Sequence, residues 1–113
     1  MTQSFSPAQV VQVRNVPFRT ILEHLGAYSK LSKDYTSPDP SRRSVRLYVG
    51  YHGRDFRLVV TDEKFVHELL PLDNPSRGGG GAIDLVKHIT GLGFVQSVRV
   101  CLDAIEAKQE AGR

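Results

Sequence analysis

SVRLYVGYHGRDFRLVV, residues 44–60, alternates apolar and polar side chains on either side of a His52-Gly53 pair. A two-residue turn at that pair sets Tyr51 against Arg54, Val49 against Phe56, Leu47 against Leu58 and Val45 against Val60. Successive side chains point to opposite faces of a strand, so Val45, Leu47, Val49, Phe56, Leu58 and Val60 fall on one face. The other face receives Tyr48 opposite Arg57, and Arg46 opposite Val59. A single register sorts both strands, which predicts an antiparallel hairpin with its apolar face turned toward helices.

Downstream of the hairpin, Thr61-Asp62-Glu63-Lys64 reads as a second turn, and Phe65 to Leu70 as a third strand closed by Pro71. Residues 71–81, PLDNPSRGGGG, read as a loop with no regular element. From Ala82 to Thr90 the pattern is helical, with Ile83, Val86 and Ile89 on one side and Asp84, Lys87 and His88 on another. Gly91 and Gly93 end it. Phe94, Val98, Cys101, Leu102 and Ile105 then form an apolar stripe on a last helix, which gives way to a polar tail at about 107–113.

Upstream, Ser6-Pro7 opens a short helix at about 7–13. Phe18, Ile21, Leu22 and Leu25 recur at helical spacing before Gly26, and residues 34–44, DYTSPDPSRRS, form a loop. The expected fold is an α+β domain. It has a small antiparallel sheet of three or more strands, helix at the N-terminal end and two C-terminal helices. One domain spans 1–113, with an ordered core at about 7–106.

Composition narrows the function. The 113 residues are 40% hydrophobic and 24% charged, ordinary globular usage with room for one modest core. No run approaches the ~18 consecutive apolar residues of a membrane span. The first ten residues lack the basic-then-apolar build of a secretory signal. The lone cysteine, Cys101, has no partner for an intramolecular disulfide, so a reducing, cytoplasmic setting is expected. Residues 1–60 carry nine bases and four acids, whereas 61–113 carry six and eight. A basic first half, with its arginines clustered between 42 and 57, points to an anionic partner, nucleic acid before membrane.

RGGGGAIDLVKHITGLGFVQSVRVCL, residues 77–102, resembles the C-terminal part of the zinc-binding domain at the N-terminus of bacterial DNA primases. The matching pieces are the glycine-rich turn into Ala82-Ile83-Asp84-Leu85-Val86, then Gly91-Leu92-Gly93-Phe94, then Ser97-Val98. Residues 16–25 and 45–60 stand where that family has its early helix and central hairpin. In the family, a Cys-x-x-His pair before the hairpin and a Cys-x-x-Cys pair before the glycines hold zinc. Here residues 35–43 and 69–77 contain neither Cys nor His. Structural zinc takes four N or S ligands, so the chain is similar to a zinc-less version of that zinc-ribbon-like domain. Such versions belong to primase-like and relaxase-associated proteins of plasmids and other mobile elements. The resemblance therefore implies a template-recognition module that binds single-stranded DNA beside a primase, polymerase, relaxase or helicase partner. The chain is too short for a primase catalytic domain and lacks its metal-binding acidic clusters, so no catalysis, cofactor or metal is expected.

The residues themselves offer two candidate sites. Arg46, Tyr48 and Arg57 share the outer face of the hairpin, with Arg42 and Arg43 leading into it and Tyr51 and Arg54 at its tip. Bases of this kind can track a phosphate backbone while an exposed tyrosine stacks on an unpaired base. The same residues would equally serve as a solubilising face, or as a docking surface for a partner protein. Arg77 with Gly78, Gly79, Gly80 and Gly81 could cradle a phosphate at a helix N-terminus, or simply form a tight connection that needs positive φ. No Lys-Ser/Thr follows the glycines, which excludes a Walker A loop. His24, His52, His67 and His88 are scattered with no ligand spacing, and Asp84 suits the first turn of a helix. Cys101 behaves as a small buried hydrophobe.

The missing ligand pairs carry a direct expectation. Tag-free purified protein should contain no stoichiometric zinc by elemental analysis, and chelator should leave its thermal midpoint unchanged. One zinc per chain would overturn this reading.

Overall fold

His52 and Gly53 take φ angles of 48° and 77°, the pair of positive values that a type I′ turn requires. That turn joins the two long strands of a five-stranded antiparallel sheet. The computed structural model describes residues 5–38, 41 and 43–111. In chain order it contains α1 (Pro7–Arg14), α2 (Phe18–Leu25), β1 (Tyr28–Leu31), β2 (Ser44–Tyr51), β3 (Arg54–Thr61) and β4 (Lys64–His67). β5 (Gly78–Gly80), α3 (Gly81–Thr90) and α4 (Phe94–Ala111) complete it. The strands lie in sequence order, β1-β2-β3-β4-β5. The β2–β3 register is the one expected, from Tyr51↔Arg54 through Val49↔Phe56 and Leu47↔Leu58 to Val45↔Val60.

The inner face of the sheet and all four helices share one core. Val49, Phe56, Leu58 and Phe65 from the sheet are buried together with Val13, Ile21 and Leu22 from α1 and α2. α3 lies deepest, with Ile83, Leu85, Val86 and Ile89 all buried, and Val98, Cys101 and Ala104 of α4 close the other side. Burial pushes the Cys101 thiol up to about 11, so it stays protonated. No helix of the described chain is long and apolar enough to cross a membrane.

Six local expectations change. Residues 71–81 are not all loop: Gly78, Gly79 and Gly80 pair with Val66, Phe65 and Lys64 as an edge strand. Glycine is needed there because a Cβ on Gly79 would come within 3.0 Å of the Phe65 ring and 3.1 Å of the Asp84 Cβ. The third strand stops at His67, short of Leu70, and residues 28–31 add a strand, β1, that periodicity did not single out. Val45 is 43% exposed instead of buried, because β1 pairs only as far as Leu31↔Leu47 and leaves Val45 without a neighbour on that side. Phe94 is half-exposed, since α4 begins there, one turn before Val98 reaches the core. The polar end of the chain continues α4 to Ala111.

Leu58, fully buried between the hairpin and the helices, and Val45 in the same face make a paired test. Leu58→Ala is expected to lower stability by about 2–5 kcal/mol. Val45→Ala should change it by no more than about 0.5 kcal/mol. Urea midpoints at constant m-value measure both, and equal losses would place Val45 in the core.

Candidate nucleic-acid interface

Cross-strand pairing puts Tyr28 and Lys30 of β1 beside Gly50 and Tyr48 of β2, and Tyr48 beside Arg57 of β3. These residues line the outer face, which no described helix covers. Tyr28 is 64% exposed and Tyr48 42%. Between them Gly50 carries no side chain, leaving a shallow groove of about 310 Å³ bordered by Tyr28, Tyr48, Asp55, Arg57 and Leu69. The face is basic on balance, with Lys30, Arg46, Arg57 and Lys64 against Asp55 and Glu68.

Glu68 organises the arginines. Arg46 donates to it in a fork, Nε to Oε1 at 2.7 Å and a terminal nitrogen to Oε2 at 3.1 Å. Arg57 Nε lies 3.4 Å from the same Oε1, close enough for charge attraction without hydrogen-bond alignment. Two guanidiniums held side by side on neighbouring strands would repel, and one carboxylate between them offsets that cost. The hydrogen bonds from Arg46 hold the Glu68 carboxyl below the usual carboxylate range. On its other side the Arg46 guanidinium sits 4.6 Å from the Tyr35 ring centre, a cation–π contact with the loop that precedes β2. Arg46 is therefore a brace. Arg57, 39% accessible in its side chain, is drawn to the same carboxylate without the two-pronged hydrogen bond that holds Arg46.

The expected site residues divide into separate groups. Arg46, Tyr48 and Arg57 do share the outer face, and exposed Arg43 precedes it. Arg42 lies outside the described residues. Tyr51 and Arg54 do not extend this face: they stand in register with Val49 and Phe56 and point inward. Tyr51 packs on the core with its ring stacked 4.1 Å from His52, and the Arg54 guanidinium lies 5.2 Å over the Phe56 ring. The same period-two alternation that fixed the core pairs carried this information for the hairpin tip as well. Glu68 lies inside the stretch expected as the third strand, Phe65 to Leu70, whose register against β3 no local pattern fixes, so its meeting with Arg46 was not legible.

In the glycine-rich segment the backbone and Arg77 are engaged internally. Gly80 N–H donates to Asp84 Oδ2 at 3.1 Å, Gly81 N–H to the Glu63 carbonyl at 2.7 Å, and Arg77 Nε to the Leu70 carbonyl at 3.2 Å. Gly81, at φ 84°, also lets the Arg14 carbonyl approach to 3.3 Å of where a Cβ would stand. These contacts favour the tight-connection reading over a phosphate cradle. Asp84 accepts from the strand backbone at the start of α3, where a carboxylate is stabilised by the helix dipole.

Two histidines far apart in sequence meet on the inner side. His67, paired with Leu58, and His88 on α3 bring Nδ1 and Nε2 within 3.0 Å. Extending the strand register past Thr61 would have turned His67 inward, but the approach of α3 is tertiary. Among the described residues no group of three His, Cys, Asp or Glu is placed to hold a metal ion. No protein-family model, curated protein or solved structure matches this chain.

Burial first, and then the neighbouring charges, His88 and Arg54 foremost for His67 and Arg54 for His88, lower both imidazoles from their ordinary value. In the unfolded chain these groups take up protons as pH falls through the ordinary imidazole range, while the folded ones resist. Acidification from about pH 7.5 to about pH 5.5 should therefore lower the thermal midpoint. His88→Gln should flatten that dependence. A midpoint that rises or stays level over this window would contradict it.

Proposed function

We propose that the outer sheet face binds single-stranded DNA, as the template-recognition module of a primase-like replication or mobilisation system. The observation that carries this reading is the uncovered pair Tyr28 and Tyr48 flanking Gly50, with Lys30 and Arg57 alongside. Bases stack on aromatic rings with little regard to sequence, and the cations follow the phosphates. The glycine turn into α3 and the Gly91-Leu92-Gly93-Phe94 start of α4 support the primase-like context through their resemblance to that family. The chain acts by binding, beside a catalytic primase, relaxase or helicase partner. A buried protonated thiol and the absence of any disulfide partner suit a cytoplasmic setting.

Glu68 makes the reading specific. Its carboxylate would lie among incoming phosphates, so Glu68→Gln should tighten binding at every salt concentration. Lys30→Ala and Arg57→Ala should each weaken binding and flatten the log–log salt slope by roughly 0.7, the single-strand value per phosphate contact. Tyr28→Ala and Tyr48→Ala should each cost about 1–3 kcal/mol of affinity with little change in slope. Fluorescence anisotropy with a labelled oligonucleotide across a salt series measures all five. No binding by the wild type at low salt, or wild-type affinity in a Tyr28/Tyr48/Arg57 triple alanine variant, would overturn the proposal.

A further inference from the structure

The opposite face of the sheet holds a second concavity that shares only Phe56 with the groove on the outer face. A cleft of about 610 Å³ opens between the hairpin tip, the loop after β4 and α3. Its wall is an aromatic box. Phe56 lies 5.2 Å from His67 and 5.7 Å from His88, ring centre to ring centre, and Phe65 lies 5.4 Å from His88. Leu70 and Leu92 add apolar surface, while Asn74 and Ser76 line the loop side.

Arg54 and Lys87 supply positive charge to this cleft, and neither makes an ion pair among the described residues. The only carboxylate in the lining, Asp84, already accepts the Gly80 N–H. His67 is 6% exposed, yet its Nε2 meets no partner. Each neutral imidazole offers one donor and one acceptor. With Nδ1 of His67 joined to Nε2 of His88, the tautomer of the pair decides whether the free His67 Nε2 donates or accepts. A buried polar atom without a partner is costly; Nε2 is itself shut off from solvent, so a ligand in the cleft recovers that bond by turning the imidazole pair toward it.

We propose that this cleft binds a nucleoside 5′-monophosphate, as a free nucleotide or as the phosphorylated 5′ end of a strand. The ligand chemistry follows from the lining. A flat ring with a hydrogen-bonding edge suits the aromatic box and the adaptable imidazole pair, and an anionic tail suits Arg54 and Lys87. The volume lies within the range of small-molecule sites, which runs from roughly 300 to 1,000 Å³. This site does not depend on the outer face: apart from Phe56, it uses different side chains, on the other side of the sheet.

Titration calorimetry with AMP, GMP, CMP and UMP, and separately with inorganic phosphate, tests the assignment. Saturable nucleotide binding is expected, much tighter than phosphate alone. Arg54→Ala and Lys87→Ala, both exposed and so expected to fold normally, should each weaken it roughly tenfold, the loss of one charge-assisted contact. Tyr48→Ala and Arg57→Ala should leave it unchanged, which separates this site from the strand-binding face. The imidazole resonances of His67 and His88 should shift on nucleotide addition to the wild-type protein. An oligonucleotide with a 5′-phosphate that competes with AMP, when its 5′-hydroxyl counterpart does not, identifies the strand end as a source of the ligand. Failure of the phosphorylated end to compete identifies the free nucleotide. Absence of nucleotide binding at millimolar concentration, phosphate binding as tight as AMP, or unmoved histidine resonances would each overturn the proposal.

Discussion

The structure depends on the register of β2 against β3. A slip of one residue would carry every side chain of the hairpin to the opposite face. Val49, Phe56 and Leu58 would then meet water, and Arg57 would have to enter the core beside α3. The two positive φ angles at His52 and Gly53 hold the register from one end. Burial of Phe56 and Leu58 holds it from the middle, each apolar side chain contributing about 1.5–3 kcal/mol on leaving water. Local turn geometry and global burial agree, which is the condition for a sequence to specify one pairing.

With the register fixed, the two faces acquire different chemistry. The outer face carries charge that is partly self-compensated. Arg46, Arg57 and Glu68 form a network on three neighbouring stretches of chain, and Tyr35 closes it over Arg46. Its members are partly exposed, Glu68 being 21% accessible in its side chain, so solvent screens the charges and their contribution to stability is modest. Their greater effect is on geometry. Arg46 is held by Glu68 and Tyr35, while Tyr28, Tyr48 and Arg57 stay partly accessible beside Gly50.

The inner face is apolar at its centre and polar at one end. Where the sheet runs beyond α3, Arg54 stacks on Phe56 and the His67–His88 pair replaces the aliphatic contacts found deeper in the core. The glycine strand β5 permits this arrangement. Without side chains at Gly79 and Gly81, α3 starts close against β4 and α1, and its last turn brings His88 over His67. The glycine-rich segment thus sets the position of a helix through close approach, and the cleft is a consequence of where that helix ends.

Much of the fold was legible in the chain itself. Alternation in residues 44–60, the glycine stops at 26, 53 and 91, and the apolar stripe around Val98 and Cys101 are local signals, so they fixed the hairpin, the helix ends and the α+β class. The outer-face grouping of Arg46, Tyr48 and Arg57 followed from the same period. What the sequence did not determine involves partners distant along the chain. β1 is four residues with exposed side chains and acquires strand form only by pairing with β2. Glu68 reaches Arg46 across 22 residues, and His88 reaches His67 across 21, with no periodic pattern to mark either meeting. Gly78 to Gly80 carry no side-chain pattern, so only the neighbouring β4 backbone makes them a strand. Local periodicity decides which way a side chain points, and tertiary packing decides what it meets there.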